Sequence, residues 1–332
     1  MFNESIILVT GGTGSWGNEL ISQLLQNYSP KEIRVYSRGE HKQVEMRAKF
    51  KNDKRLKFII GDIRDRNILN LAMKNADYVF HLAALKHVPV CEENTWEAVL
   101  TNIYGTQNVI EAAMDNNIKK VIDISTDKAV DPFNHYGVTK ACSEKMIINA
   151  SFNYITDTKF VCIRGGNVLG TNGSVIPLFK SQILSDNHVT ITDPEMTRYL
   201  MSTKDAIGLV FQAVKLSIGG EIFVMRMPAT SVENIANSLI QMFGNSSTKI
   251  DIIGSRPGEK MDEVLVSKNE APFTKIIDDK YYVVLPQNNN PQLDNLYKDH
   301  ENIKTEEFNS RNADQITSIE LVDILSGETW LK

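Results

Sequence analysis

Two short stretches of the chain carry residues that could move protons. Tyr136 and Lys140 stand one helical turn apart in a segment with helical spacing, so both side chains leave the same helix face. A lysine ammonium beside a phenol favours the phenolate, which suits the tyrosine to act as a general base on an alcohol. Just upstream runs Ser125-Thr126-Asp127-Lys128-Ala129, at the end of an apolar run that reads as a strand. Oxidising an alcohol needs only a hydroxyl here to orient the reacting oxygen, and Thr126 supplies one. Asp127 and Lys128 add an acid and a base, enough for further proton transfers after the oxidation. A surface tyrosine and lysine, or a turn cap with a solvated ion pair, would have the same spacings, and the motif alone leaves the second of these open.

A second constellation lies near the N-terminus. Gly11, Gly14 and Gly17 fall in TGGTGSWG, with Ser15 and Trp16 between them, after the apolar run Ser5 to Thr10 and before helical spacing from Glu19 to Leu25. Glycines there let the backbone turn sharply and approach a pyrophosphate, whose charge is favoured by the free N–H groups at the helix start. The next strand ends in Ser37-Arg38-Gly39-Glu40-His41-Lys42. An acidic residue at that strand end would bind ribose hydroxyls and repel a 2′-phosphate; Arg38, with Ser37 and Lys42 beside it, instead suits the phosphate. NADP is therefore predicted over NAD, with Glu40 counting the other way. Asp62 and Ile63, in IIGDIRD, suit the adenine end, although Asp62 could equally cap the following helix. Leu82, Ala83 and Ala84 after the fourth strand are small enough to pass beside the cofactor.

These residues need a scaffold that brings strand ends together. Strand-like runs at Ser5 to Thr10, Glu32 to Ser37, Leu56 to Ile60, Tyr78 to His81, Lys120 to Ser125 and Phe160 to Ile163 alternate with helix-length segments such as Glu97 to Asn116 and Tyr136 to Ala150. The alternation predicts an α/β fold: a Rossmann-type, doubly wound parallel sheet over residues 1–166, with helices on both faces. From 167 to 332 shorter mixed segments follow, with loops at Thr171 to Ser174, Thr192 to Glu195 and Gly254 to Glu259. They predict mainly a smaller substrate-binding α/β lobe, with room for later segments to return to the sheet. Ile319 to Leu325 reads as a closing helix.

The chain has 332 residues, a formal net charge of -5 and 42% hydrophobic residues, the composition of an ordinary globular protein. That charge offers no global field for nucleic acid or an acidic membrane, so the expected partners are small molecules. Cys91, Cys142 and Cys162 lack metal-ligand spacing, and no metal is expected. No apolar stretch is long enough to span a bilayer, so a cytoplasmic protein without membrane contact is expected.

With these motifs in hand, the chain resembles the extended short-chain dehydrogenases, and more closely the inverting UDP-N-acetylglucosamine 4,6-dehydratases. The resemblance covers nearly the whole chain and rests on GGTGSWG, SRGEHKQ, GDIRD, ALKHVP, TNIYGTQNV, STDKA, GSVIP, ITDPEMTR and GSRPGEK. It implies that Tyr136, assisted by Lys140, takes the proton of the sugar 4-hydroxyl while hydride passes to NADP, with Thr126 holding the oxygen. Lys128 would then remove the C5 proton and Asp127 protonate the departing 6-hydroxyl. Hydride returns to C6 and a proton to C5, giving a 4-keto-6-deoxy sugar, of the L-series if C5 is inverted. Lys86, which would also border the cofactor, and His87 would line the sugar pocket. Asn167, Val175, Arg198, Arg256 and Glu259 would hold the UDP moiety, the alternative for the two arginines being solvated loop charge. The resemblance further implies a homo-oligomer, dimer or hexamer, and a role in making a surface sugar such as pseudaminic acid. Two positions depart from the family: Gly165 stands where a tyrosine is usual, and Asn172 where an arginine is usual. Both border the expected sugar pocket, so a partial reaction that stops at, epimerises or reduces the unsaturated ketone is the competing expectation. A dinucleotide-sensing protein without catalysis is the third, disfavoured because Tyr136, Lys140, Asp127 and Lys128 are all present.

Overall fold

The structure is a computed structural model that describes residues 1–170, 174–254, 258–288 and 290–331. Its frame is a nine-stranded sheet. Six strands come from the first half of the chain: β1 (Ile6–Thr10), β2 (Glu32–Ser37), β3 (Leu56–Ile60), β4 (Tyr78–His81), β5 (Lys120–Thr126) and β6 (Lys159–Gly165). They pair in parallel in the order β3-β2-β1-β4-β5-β6. Three later segments extend the sheet. Ile222–Met225 runs parallel to β6, then Tyr281–Val284 and Thr274–Ile276 add antiparallel strands at the edge.

The strands are apolar on both faces because both faces are covered. Leu8, Val79, Val121 and Phe160 point into one core layer, and Ile7, Val9, Phe80, Ile122 and Val161 into the other. Helix α1 (Ser15–Asn27) buries Leu20, Ile21 and Leu24 in the second layer, beside the helix Thr203–Leu216. On the opposite face lie the helices Arg66–Met73, Gly105–Asp115 and His135–Asn153. A third core, built from Ile176, Phe179, Leu239 and Leu321, joins the helices Val175–Asp186, Val232–Phe243 and Ser318–Ser326 with a short parallel pair of strands.

The helix expected over Glu97 to Asn116 is interrupted. Thr95–Val99 is α-helical, Leu100–Tyr104 forms a π-turn, and the α-helix resumes over Gly105–Asp115. The cause is visible at Asn102, which is 1% exposed. Its amide donates to the Leu85 carbonyl and the Thr139 hydroxyl, both at 2.9 Å, while its oxygen accepts from the Leu85 N–H at 2.8 Å. The widened turn thus satisfies main-chain groups of the segment after β4, which has no ladder partner of its own.

Candidate active site

The carboxyl ends of β1, β4, β5 and β6 meet where the strand order reverses, the place at which open parallel sheets hold ligands. Gly11 turns the chain out of β1 at φ 64° and lies so close to the next strand's exit that a Cβ would stand 2.7 Å from the Ala83 nitrogen. Gly14 then opens α1 with no side-chain cap, leaving first-turn N–H groups for an anion. This cradle fits a dinucleotide pyrophosphate. Ser15 and Trp16 begin α1, and Ala83 donates weakly to Thr10 Oγ1 at 3.4 Å, which fixes the Leu82 to Ala84 passage against β1.

At the adenosine end, Arg38 and Lys42 are exposed, and the Ser37 hydroxyl accepts from Gln43 at 3.0 Å. Asp62 does not cap the following helix. Asp65 does, accepting from the N–H groups of Asn67 and Ile68, because it directly precedes the first turn. Asp62 is instead clamped by Arg64, with contacts of 2.9 and 2.6 Å. Although burial opposes it, Arg64 with its hydrogen bonds holds the Asp62 carboxyl below its ordinary range, and the charge of Arg38 acts the same way. Ile63 is buried behind it.

The reacting end is built on β5 and the helix His135–Asn153. Asn134 caps that helix, accepting from the Gly137 N–H at 2.8 Å. Gly137 lets the helix start press on the turn before it: a Cβ there would lie 2.2 Å from the Lys128 carbonyl oxygen. That contact sets Tyr136 beside Thr126, Asp127 and Lys128. Burial raises the Tyr136 phenol above its ordinary value, and Lys140, Lys128 and the Thr126 hydroxyl pull it back only partly. Lys140 therefore acts on the phenol in the expected direction, but desolvation outweighs it. Lys140 itself is 3% exposed and rests 3.3 Å from Asp123, a fully buried carboxylate on β5. Burial would lower the Lys140 ammonium, but Asp123 and Tyr136 overcome this and hold it above its usual range. His81 stands 4.0 Å behind Asp123, bonded to the Thr10 and Thr106 hydroxyls, and burial keeps it neutral with a pKa of about 4.

Asp127 and Lys128 do form an ion pair, at 3.1 Å, and it is not a surface pair: Asp127 is 1% exposed. Thr126 Oγ1 donates to the same carboxylate at 2.6 Å. Sequence reasoning missed the third member. Glu263, 4% exposed, brings Oε1 to 3.3 Å from Lys128 Nζ and 3.7 Å from Arg198 Nε. Despite burial, the charge of Lys128 and hydrogen bonds from Thr126 and Glu263 hold Asp127 below the usual carboxylate range. Burial and the neighbouring Asp127 charge raise Glu263. Lys128 is held above its ordinary range, Asp127 and Glu263 overcoming the cost of burial. At rest the pair is thus an ammonium and a carboxylate, the reverse of a base and an acid.

The remaining sites are distributed around this cluster. Lys86 keeps an exposed surface, yet partial burial and the charge of Lys128 lower its ammonium; His87 is exposed at the start of the helix Val88–Glu93. Arg198 turns inward: besides Glu263, it donates to the Thr197 carbonyl at 2.7 Å and the Met261 carbonyl at 3.1 Å. The Asn167 carbonyl accepts from the Met201 N–H at 3.1 Å, and Val175 begins a helix behind Ser174, whose buried hydroxyl has no hydrogen-bond partner among the described residues. The loop carrying Glu259 is tied over the site, with Gly258 accepting from Asn134 at 3.0 Å and Lys260 donating to Val130 at 2.7 Å. Arg256 and Asn172 lie outside the described residues. Gly165, at the end of β6, faces the Trp16 indole: a Cβ would stand 3.4 Å from the ring. Among the described residues no cluster could hold a metal ion and no helix is long and apolar enough to cross a membrane.

Comparison with known proteins agrees with this geometry. The family model described as polysaccharide biosynthesis protein matches residues 7–285. A protein of Rickettsia bellii named UDP-glucose 4-epimerase is 47% identical over 287 residues, 85% of this chain and 84% of the relative. The UDP-N-acetylglucosamine 4,6-dehydratase (inverting) of Campylobacter jejuni is 43% identical over 290 residues, 86% and 84% of the two chains. Among solved structures, Pen from Bacillus thuringiensis superposes with a TM-score of 0.91 at 37% identity, covering 98% of this chain and 99% of its own. A UDP-glucuronic acid 4-epimerase from Bacillus cereus, in complex with UDP-glucuronic acid and NAD, gives a TM-score of 0.69 at 26% identity over 77% and 88% of the chains. The chain therefore belongs to the extended short-chain dehydrogenase/reductases, in the polysaccharide biosynthesis family that holds nucleotide-sugar dehydratases together with proteins named as epimerases.

Proposed function

We propose that this protein is an NADP-dependent UDP-N-acetylglucosamine 4,6-dehydratase that inverts C5, giving UDP-2-acetamido-2,6-dideoxy-L-arabino-hex-4-ulose. The observation that carries the proposal is the buried Asp127–Lys128 pair, 3.1 Å apart, beside Tyr136. Epimerisation at C4 needs an alcohol base and a redox cofactor; it has no use for a second acid and base. Arg38, exposed at the end of β2, supports NADP by offering a cation to the 2′-phosphate.

The bound dinucleotide would accept hydride from C4 and later return it to C6. Tyr136 would take the 4-hydroxyl proton, its phenolate favoured by Lys140, while Thr126 orients that oxygen. A shift of one proton from Lys128 Nζ to Asp127, across the existing contact, turns the resting ion pair into an amine base and a carboxylic acid without changing its total charge. Lys128 then removes the C5 proton, whose electron pair forms the C5–C6 double bond, and Asp127 protonates the hydroxyl that leaves C6 as water. Protons taken from the 4-hydroxyl and C5 balance those given to the leaving group and back to C5. Arg198, Arg256, Asn167, Glu259 and the helix start at Val175 would hold the UDP moiety, with Lys86 and His87 near the sugar. A cytoplasmic homo-oligomer, dimer or hexamer, acting in surface-sugar synthesis is the accompanying expectation.

Proton NMR of the reaction with UDP-N-acetylglucosamine in deuterated water tests the reading. The expected result is a 6-deoxy methyl signal, deuterium at C5 and no build-up of reduced dinucleotide. A 4-epimer with an intact C6 hydroxyl would overturn it. Stoichiometric consumption of NADPH with the unsaturated ketone would support instead the single-step reading raised by Gly165.

A further inference from the structure

Glu263 comes from the segment beyond the loop at Gly258 and is not needed by the reaction as written. Its position is nevertheless specific. The carboxyl is buried, with Oε1 between Lys128 Nζ at 3.3 Å and Arg198 Nε at 3.7 Å, and it is hydrogen-bonded to the Asp127 carboxyl. Its own main chain is fixed, the Glu263 N–H donating to the Ser310 hydroxyl at 2.9 Å, which in turn meets Thr197 at 2.6 Å. A carboxyl group kept dry costs folding energy, and Glu263 shares the Lys128 ammonium with Asp127 while Arg198 stands on its other side. Such a group is placed where a proton must be stored.

Resting on the dehydratase reading, we infer that Glu263 is the proton store of the elimination, reloading Asp127 and becoming the counter-charge of Lys128 as the C5 proton arrives. The step balances as follows. Before elimination Lys128 is an amine, and Asp127 and Glu263 are both carboxylic acids. The C5–H bond breaks and its proton forms the third N–H bond of Lys128; the C6–O bond breaks and the oxygen leaves with the Asp127 proton as water. The Glu263 proton passes to Asp127, leaving Lys128 an ammonium paired with the Glu263 carboxylate at its existing 3.3 Å contact. The three side chains hold the same number of protons before and after, and nothing is oxidised or reduced in them. The groups facing Glu263 fit this exchange: burial, with the charge and hydrogen bond of Asp127, raises it toward the acid form, while Lys128 and Arg198 oppose this in part and stand ready to stabilise the carboxylate once the proton leaves. Glu263 thus acts through Asp127 and Lys128, as a positioning and proton-storing residue.

Glu263→Gln keeps the shape and removes the exchangeable acid. In the dinucleotide-loaded full-length protein, kcat is expected to fall about 100-fold, the scale of one acid–base contribution, with KM within about threefold. Because the alcohol oxidation still proceeds, the near-ultraviolet absorbance of reduced nicotinamide should build up during turnover, whereas none is expected in the wild type. Glu263→Asp should recover part of the rate. A kcat near wild type, or a loss of kcat with no reduced dinucleotide in folded protein, would overturn the proposal. If the amide does not fold, the same absorbance read on Glu263→Asp decides: build-up above wild type supports the role and wild-type levels refute it. Wild-type protein that yields the 4-epimer shows the failure of the dehydratase reading itself, separately from either variant, and takes this proposal with it.

Discussion

Asp123→Asn is the most direct probe of the charge arrangement behind the candidate tyrosine. The substitution keeps the side-chain shape and removes the one carboxylate 3.3 Å from the buried Lys140 ammonium. At an effective dielectric of about 20, that separation corresponds to about 5 kcal/mol of attraction. Breaking a buried pair by removing one partner costs about 3–5 kcal/mol. Lys140 is raised above its unfolded value in the native protein, so its stabilising contribution is fully present below about pH 10.4 and is lost as pH rises through the folded value. Without Asp123, burial dominates and the folded value falls below the unfolded one. The variant is then penalised at neutral pH and relieved as pH climbs toward about 10. For a chain of 332 residues the unfolding entropy is roughly 0.7 kcal/mol per kelvin, so the expected loss is about 4–7 °C in Tm at pH 7. Differential scanning calorimetry at pH 7 and pH 9.5 reads it directly, and the double variant Asp123→Asn/Lys140→Met should be more stable than Asp123→Asn alone. A Tm drop below about 1 °C, a drop independent of pH, or purely additive losses in the double variant would refute the reasoning.

Three further outcomes are expected. Arg38→Ala should weaken NADP binding by about 10- to 100-fold, the worth of one or two charge-assisted hydrogen bonds, and leave NAD binding nearly unchanged, as measured by isothermal titration calorimetry with each dinucleotide. Gly165→Ala should be tolerated, since the added Cβ meets Trp16 at ordinary contact distance, whereas Gly165→Tyr must displace the indole and should cut turnover at least about tenfold until combined with Trp16→Ala. Arg164→Met should cost about 3–5 kcal/mol in urea unfolding, because it strands Glu144 and Glu270, which now meet the guanidinium at 2.7 and 2.9 Å in the core.

The frame was legible for a physical reason. Strands covered on both faces read as unbroken apolar runs, and β2, β3 and β4 end where those runs end. The glycine loop and the Tyr136–Lys140 spacing were legible because local backbone geometry alone dictates them. Groups defined by distant contacts were not. Glu263 reaches Lys128 from 135 positions away in sequence, through a segment with no periodic pattern. Asp123 sits in the middle of β5 and looks like an ordinary polar interruption until Lys140 folds onto it. The π-turn at Leu100–Tyr104 has no signature of its own, since its cause is the Leu85 main chain. Asp62 has a residue type that suits a cap, but Asp65, three residues on, directly precedes the first turn and takes that place.

The return of Ile222–Met225 to the outer edge of β6 has a consequence for synthesis of the chain. While the ribosome is still making the segment between them, β6 presents an open row of amide and carbonyl groups flanked by the buried apolar residues Phe160, Val161 and Ile163. Exposed edges of this kind recruit other strands. The nascent protein should therefore be most prone to aggregation, and most dependent on chaperones, during that interval. Substitutions that weaken Phe223 or Val224, both fully buried in the sheet core, should lower the soluble yield more than they lower the stability of molecules that do complete folding.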